Sequence, residues 1–206
     1  PHRELDAVFL DAGHTVLCWD EAFAAELLAT HGIATTPAEI ARAEAAARPV
    51  FSRWLARGAS TEAVEARAAY VQTLLDRLAP QLAERSPAER HAIVSGVVEA
   101  MRTPEAQDLL WSRVPDGLPA VLAQLRAAGL RLVIVSNSDG TVASKLAAAG
   151  IRELFDGVVD SHLVGSEKPD AAIFAHALAL SRTRPDRTLH VGDLHAIDVV
   201  GARSAG

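Results

Sequence analysis

Three short apolar runs, each of which stops at a polar residue, constrain the fold of this chain more than any other feature. The runs are Ala7–Leu10 before Asp11, Leu130–Val135 before Ser136, and Thr188–Val191 before Gly192-Asp193. A weaker strand pattern covers residues 156–160. Helical patterns separate the run at 130–135, this weaker pattern and the run at 188–191. Apolar strands that alternate with helices are typical of a parallel sheet covered on both faces. We therefore predict an α/β fold.

Residues 20–112 differ in composition from the rest of the chain: they are rich in Ala, Glu, Arg and Leu and show no strand pattern. Thr36-Pro37-Ala38-Glu39 and Ser86-Pro87-Ala88-Glu89 each combine a hydroxyl cap, a proline at the first helical position and a glutamate at the third. These signals predict a small helical bundle inserted into the α/β domain. We expect an α/β domain of residues 1–15 plus 113–206 and a helical domain of residues 16–112.

Composition excludes several classes of protein. The net charge is −6 and the basic residues are scattered, which argues against nucleic-acid binding. Cys18 is the only cysteine, so neither an internal disulfide nor a thiolate metal cluster can form. Residues 1–9 lack a basic-then-apolar leader, and no apolar run approaches the ~20 residues that span a membrane. We expect a cytoplasmic protein that does not bind membranes.

The residues that follow the strands carry the chemistry. Ligands of parallel α/β sheets bind beyond the carboxyl ends of the strands, so we expect Asp11, Ser136 and Asp193 to meet there. Lys168 lies in a loop before a helix, and Asp198 follows Asp193 by five residues. Converging carboxylates need a cation, and oxygen ligands suit Mg²⁺. A cation, an ammonium and a hydroxyl together fit a phosphoryl group, which a carboxylate oxygen of Asp11 could attack.

Five segments in this order resemble the haloacid dehalogenase-like hydrolase superfamily, in the branch that carries a helical cap after the first strand. They are FLDAGHT, VIVSNSDG, EKPD, GDLHAID and VVGARSAG, and they span nearly the whole chain. The resemblance implies a Rossmann-like parallel sheet with an α-helical cap, and hydrolase activity.

The resemblance also implies a role for each matched residue. Asp11 would be the nucleophile and a metal ligand, and the main-chain carbonyl of Gly13 a second ligand. Asp193 would bind Mg²⁺ directly or through water. A supporting role would fall to Asp198, which could instead cap the following helix. The phosphoryl oxygens would be held by Ser136 and Lys168, with the amide of Asn137 nearby.

The chain departs from the family pattern at Gly13. Phosphatases of this family carry at that position a second aspartate, which acts as general acid and base. A positioned acid contributes roughly 10²–10⁴ in rate, so we expect weak hydrolysis of substrates whose leaving group needs a proton. His14 occupies the next position, usually glycine in the family. Its imidazole could supply the proton, or it could point away from the site.

Three functions remain open on the sequence. The first is a Mg²⁺-dependent phosphohydrolase that acts on a small phosphorylated metabolite, as a monomer or homodimer. The second is a catalytically impaired protein that binds a phosphate ligand or regulates a partner. The third is a haloacid dehalogenase, although those relatives usually place an aromatic residue at position 13 and lack the aspartate found here at Asp193. Phosphonate-cleaving relatives use a cap lysine, and residues 16–112 contain none.

Overall fold

The structure, a computed structural model, describes residues 4–61 and 63–206. The chain divides into two compact units, one of Pro1–Cys18 with Ser112–Gly206 and the other of Trp19–Trp111. The predicted boundaries after residues 15 and 112 are therefore displaced. The α/β unit extends to Cys18 because its N–H donates to the carbonyl of Arg113 at 2.7 Å, while Arg113 N–H donates back to Cys18 at 3.2 Å.

A four-stranded parallel sheet forms the centre of the α/β unit. Its strands are β1 (Ala7–Leu10), β2 (Arg131–Ser136), β3 (Gly157–Asp160) and β4 (Thr188–Val191), in the order β3-β2-β1-β4. All three pairings are parallel, which confirms the predicted fold class. Leu10 pairs with both Ile134 and Val191, so the chain leaves β1 and β4 at the same level of one sheet edge.

Ten α-helices accompany the strands in the described residues. They are α1 (Glu21–Thr30), α2 (Pro37–Leu55), α3 (Val64–Leu78), α4 (Pro87–Met101), α5 (Pro104–Leu110), α6 (Leu118–Ala127), α7 (Val142–Ala148), α8 (Ser161–Val164), α9 (Ala171–Ser181) and α10 (Val200–Ser204). A π-helical turn, His195–Val199, leads directly into α10. Short 3₁₀ turns cover Pro80–Glu84, Arg152–Leu154 and Pro185–Arg187.

Alternate residues of the strands pack into two apolar layers, as the period of two along a strand requires. Val8 and Leu10 of β1 pack in one layer with Leu122 of α6. Ala7 and Phe9 pack in the other with residues of α9. At the edge strand β4, Leu189 and Val191 are 48% and 41% exposed. The inward positions of β4 are therefore Thr188 and His190.

The helical unit forms as its capping signals predict. Thr36 and Ser86 accept hydrogen bonds from the main-chain N–H groups of Glu39 and Glu89, whose carboxylates accept the N–H groups of Thr36 and Ser86. An apolar core of buried residues from α1 to α5 holds the helices together. Among the described residues, no helix is both long and apolar enough to cross a membrane.

Candidate active site

Asp11 leaves the sheet beside β4. Its N–H donates to the carbonyl of Val191 at 2.9 Å, which continues the pairing of β1 with β4 by one residue. The Asp11 carboxylate is buried at this strand end. It therefore lies next to the Gly192-Asp193 turn, where the sequence predicted that the two aspartates would meet.

Lys168 joins two of the carboxylates. Its Nζ donates to Asp11 Oδ1 at 2.6 Å and to Asp198 Oδ1 at 2.7 Å. The lysine side chain is 1% exposed, so both contacts are removed from water. Burial lowers the pKa of Lys168, but the two carboxylates outweigh it and raise the pKa above its ordinary value. The ammonium is thus held in its charged form between two acids.

Asp198 accepts hydrogen bonds at both oxygens. Oδ1 accepts from Lys168 and faces Nε2 of His190 at 2.9 Å, while Oδ2 accepts the N–H of Leu194 at 2.9 Å. Leu194 directly precedes the π-helical turn that carries the aspartate, so this bond ties the Asp198 side chain to the start of its own turn. Burial raises the pKa of Asp198, but the bond from His190 and the charge of Lys168 outweigh it and hold that pKa well below its usual range.

His190 was not identified from the sequence. It lies inside a strand, where a single histidine among apolar residues indicates a core position and no particular function. The fold brings it to Asp198 because β4 and the π-helical turn pack side by side. Its ring also meets Phe174 edge-on, with centroids 5.1 Å apart. A strand histidine spaced eight residues before an acidic residue was the only sequence signal available.

The three aspartates Asp11, Asp193 and Asp198 each offer an oxygen within 4.8 Å of the other two. Burial raises the pKa of Asp11, and Asp198 raises it further, while Lys168 opposes both. One ammonium contacts Asp11 and Asp198, and the carboxylate of Asp193 lies near both, so the acids of this cluster outnumber the lysine. An all-oxygen donor set of this kind fits a hard divalent cation such as Mg²⁺.

The loop after β2 carries Ser136 and Asn137. The side-chain amide of Asn137 donates to the carbonyl of Lys168 at 2.8 Å, and its Oδ1 accepts the N–H of Lys168 at 2.7 Å. These bonds hold the main chain of Lys168, a role that the sequence did not predict. Ser136 is buried, and its hydroxyl has a long contact of 3.5 Å to the carbonyl of Asn137. A contact of that length is a weak hydrogen bond.

The end of β3 anchors the same loop. Ser161 Oγ accepts the N–H of Ser138 at 2.9 Å and donates to its carbonyl at 3.0 Å. Asp160 Oδ1 accepts the N–H of Gly140 at 3.1 Å. The backbone after Ser136 is therefore held by hydrogen bonds from the last residue of β3 and the first residue of α8.

The turn after Asp11 folds tightly back on itself. The carbonyl of Ala12 accepts the N–H groups of Val16 at 3.0 Å and Leu17 at 2.9 Å. His14, whose N–H donates to Leu17, has a φ of 53°. This left-handed region favours glycine and costs other residues about 1–2 kcal/mol. The family that the sequence resembles usually has glycine at this position, and glycine adopts the left-handed conformation without this cost.

The chain belongs to the haloacid dehalogenase-like hydrolase family, because the profile of that family matches residues 5–206. The curated relatives that it matches share shorter stretches, and the chain spans about half their length or less.

Two relatives illustrate the range. Haloacid dehalogenase-like hydrolase domain-containing protein 3 of Homo sapiens is 36% identical over 113 residues, which are 55% of this chain and 45% of that protein. Glyceraldehyde 3-phosphate phosphatase of Methanothermobacter thermautotrophicus is 39% identical over 89 residues, 42% of this chain and 39% of that protein.

Solved structures share the fold at low sequence identity. The HAD-hydrolase YfnB of Bacillus subtilis, bound to magnesium, matches with a TM-score of 0.68 and 19% identity over 98% of this chain and 84% of that one. The L-2-haloacid dehalogenase of Xanthobacter autotrophicus matches with a TM-score of 0.58 and 19% identity, over 98% and 75%. These likenesses confirm the Rossmann-like α/β fold of the superfamily.

Proposed function

We propose that this protein is a Mg²⁺-dependent phosphohydrolase that acts on a small phosphorylated metabolite through a phosphorylated Asp11. The observation that carries the proposal is the buried contact of 2.6 Å between Lys168 Nζ and Asp11 Oδ1, with Asp193 close by. A carboxylate at a strand end, next to a cation and further acids, has the components that phosphoryl transfer needs.

Asp11 is the nucleophile of this proposal. In the first step one of its oxygens attacks phosphorus, and the bond from phosphorus to the leaving-group oxygen breaks, which leaves an acyl phosphate on Asp11. In the second step water attacks the acyl phosphate, releases inorganic phosphate and restores the carboxylate. The leaving oxygen gains one proton and the attacking water loses one, so each step needs a proton donor or acceptor.

Lys168 and Ser136 are the residues that we assign to the phosphoryl oxygens. An ammonium has three N–H donors, and Lys168 directs two of them to Asp11 and Asp198. The third N–H is then the donor for the substrate. Ser136 contributes its hydroxyl, and Asn137 acts mainly through its side-chain hold on the main chain of Lys168.

We assign Mg²⁺ to Asp11, the main-chain carbonyl of Gly13 and Asp193. When bound, the ion supplies Lewis-acid stabilisation of the phosphoryl oxygens. Asp198 is assigned to Lys168 instead of the metal, since three hydrogen-bond donors already face its two oxygens. Its part in the metal site is then to orient the lysine beside it.

The helical unit, Trp19–Trp111, is proposed to be a cap that selects the substrate. One curated relative, the glyceraldehyde 3-phosphate phosphatase, supports a small phosphorylated substrate. A monomer or homodimer in the cytoplasm remains our expectation.

Gly13 shapes the substrate range. Glycine supplies the carbonyl for a metal but no proton, so hydrolysis should favour leaving groups that depart as stable anions. A series of phosphate esters ordered by leaving-group pKa tests this point. A steep dependence of kcat/KM on leaving-group acidity supports the missing acid. A flat profile would mean that another residue, with His14 the first candidate, gives the proton.

The main test is hydrolysis of p-nitrophenyl phosphate with Mg²⁺ and with a chelator. We expect phosphate release that requires Mg²⁺ and is lost in Asp11→Asn, while Asp186→Asn retains the wild-type rate. Asp186 is a matched control because it lies in the turn before β4, at the opposite end of that strand. Release that continues in Asp11→Asn would refute the proposed nucleophile.

Two alternative functions have distinct outcomes in the same assays. Tight binding of phosphate without turnover across the ester series would indicate a phosphate-binding or regulatory protein, which Gly13 favours. Halide release from 2-haloacids without added metal would indicate a dehalogenase. The carboxylate cluster around Asp11 favours the metal-dependent reaction over this last one.

A further inference from the structure

His190 occupies an unusual place for a polar side chain. It is one of the two inward positions of β4, its side chain is 2% exposed, and its ring packs against Phe174. A buried polar group lowers stability unless it forms hydrogen bonds. The described contact is the one of 2.9 Å between Nε2 and Asp198 Oδ1.

The ring nitrogens define which form of the imidazole fits. Nδ1 is buried and has no hydrogen-bond partner among the described residues. A neutral imidazole that donates from Nε2 carries a lone pair on Nδ1. A buried acceptor without a partner is tolerated better than a buried N–H without one. The surroundings therefore favour the tautomer with its proton on Nε2, which makes His190 a donor to Asp198.

We infer that His190 is a positioning residue for the reaction proposed above, acting through Asp198 on Lys168. The contacts form one continuous series: His190 Nε2 to Asp198 at 2.9 Å, Asp198 to Lys168 Nζ at 2.7 Å, and Lys168 Nζ to Asp11 at 2.6 Å. Asp198 Oδ1 is shared by the histidine and the lysine. The histidine thus sets where that oxygen lies, and with it where the ammonium lies relative to the nucleophile.

Leu194 alone would not hold this geometry. Its N–H binds Oδ2 and ties Asp198 to the π-helical turn, but leaves the carboxylate able to rotate about that bond. His190 approaches the other oxygen from β4, an element that pairs directly with β1. Two donors from different elements define the plane of the carboxylate, as outer hydrogen bonds do for the ligands of metal sites.

The kinetic test compares His190→Phe, which keeps an aromatic ring against Phe174 and removes the donor, with His190→Gln, whose amide can donate from a similar position. Thr188→Val is the matched control on the same strand and face. Loss of outer hydrogen bonds in such sites typically lowers activity about 10–100-fold. We expect kcat of His190→Phe to fall by about tenfold with KM within about twofold, and His190→Gln to recover most of it. Thr188→Val should retain wild-type kcat.

Equal kcat in wild type and His190→Phe would overturn the inference. Equal losses in the Phe and Gln variants would also overturn it, since they would indicate a packing role alone. The tautomer is an independent readout: ¹⁵N NMR of the histidine rings should give a protonated Nε2 at His190, and an unprotonated Nε2 would refute the donor role. A wild-type protein without phosphatase activity would refute the proposed function, while the NMR result would still decide whether His190 donates to Asp198.

Discussion

Gly192 and Asp198 occupy the same small space at the end of β4. A Cβ atom at Gly192 would collide with the carboxylate of Asp198, whose Cγ and both oxygens are its three nearest neighbours. The glycine before Asp193 is therefore what allows the Asp198 carboxylate to reach Lys168. This is a requirement for close approach, because no left-handed backbone conformation is involved at Gly192.

The first prediction concerns that contact. Gly192→Ala should displace Asp198, lower kcat by at least about tenfold through the loss of its contact with Lys168, and destabilise the fold by about 1–3 kcal/mol through overpacking. Steady-state kinetics and urea unfolding measure the two effects. Val191→Ala, which trims the exposed neighbouring side chain, should leave kcat unchanged. Full activity in Gly192→Ala would contradict the packing argument.

The second prediction concerns the buried ammonium. Lys168→Met should lower the free energy of unfolding by about 3–5 kcal/mol, because it leaves the carboxylates of Asp11 and Asp198 buried without their shared cation. Mg²⁺ should restore part of this loss by binding to the folded state. Urea unfolding with and without MgCl₂ measures both effects. Lys145→Met, at the only other lysine, should cost far less; similar losses in the two variants would refute the prediction.

The third prediction concerns the strained turn. His14→Gly should stabilise the protein by up to about 1 kcal/mol, since it removes the left-handed strain but frees the unfolded chain. Arg182→Gly is the matched control, because Arg182 is the other non-glycine residue with positive φ in the described chain, at 56°. The melting temperature measured by thermal unfolding should rise in both variants. Unchanged kcat in His14→Gly would exclude His14 as the proton donor, and a lower melting temperature would refute the strain.

The fourth prediction concerns pH. Burial raises the pKa of Asp156, but the bond from Leu132 N–H and the ion pair with Arg131 outweigh it and lower the pKa below its ordinary 3.8. A lowered carboxyl pKa stabilises the fold above the unfolded value and loses this effect as pH falls through the folded value.

Measured at neutral pH, Asp156→Asn should therefore be less stable than wild type by about 0.5–1 kcal/mol, a small figure because the pair with Arg131 is partly exposed. The difference should persist down to about pH 4 and shrink at lower pH. Chemical unfolding between pH 7 and pH 2.5 measures it. A difference that grows as pH falls below 4 would contradict the sign.

Local signals were sufficient to predict much of this fold from the sequence. The capping boxes at Thr36 and Ser86 depend on residues three positions apart, and both formed as predicted. The apolar run at 130–135 became β2, shifted by one residue to Arg131–Ser136. The parallel order of the strands followed from their alternation with helices, a rule that acts within each strand–helix–strand unit.

Tertiary contacts explain what the sequence did not reveal. His190 meets Asp198 only after β4 and the π-helical turn have packed, and nothing in its neighbours distinguishes it from a core residue. Asn137 binds the main chain of Lys168, 31 positions away. Because every residue has these main-chain groups, the sequence does not show which residue Asn137 binds. The first unit extends to Cys18 because of main-chain bonds to Arg113, which any residue could form.

The contact between Asp11 and Lys168 joins residues 157 positions apart, and both β4 and Asp198 lie still further along the chain. During synthesis on the ribosome, the first strand therefore emerges long before any residue that holds its aspartate. The nascent chain cannot assemble this buried carboxylate cluster until β4 and Asp198 have been made. Formation of the candidate site is in this way delayed until β4 and Asp198 exist, as a consequence of topology alone.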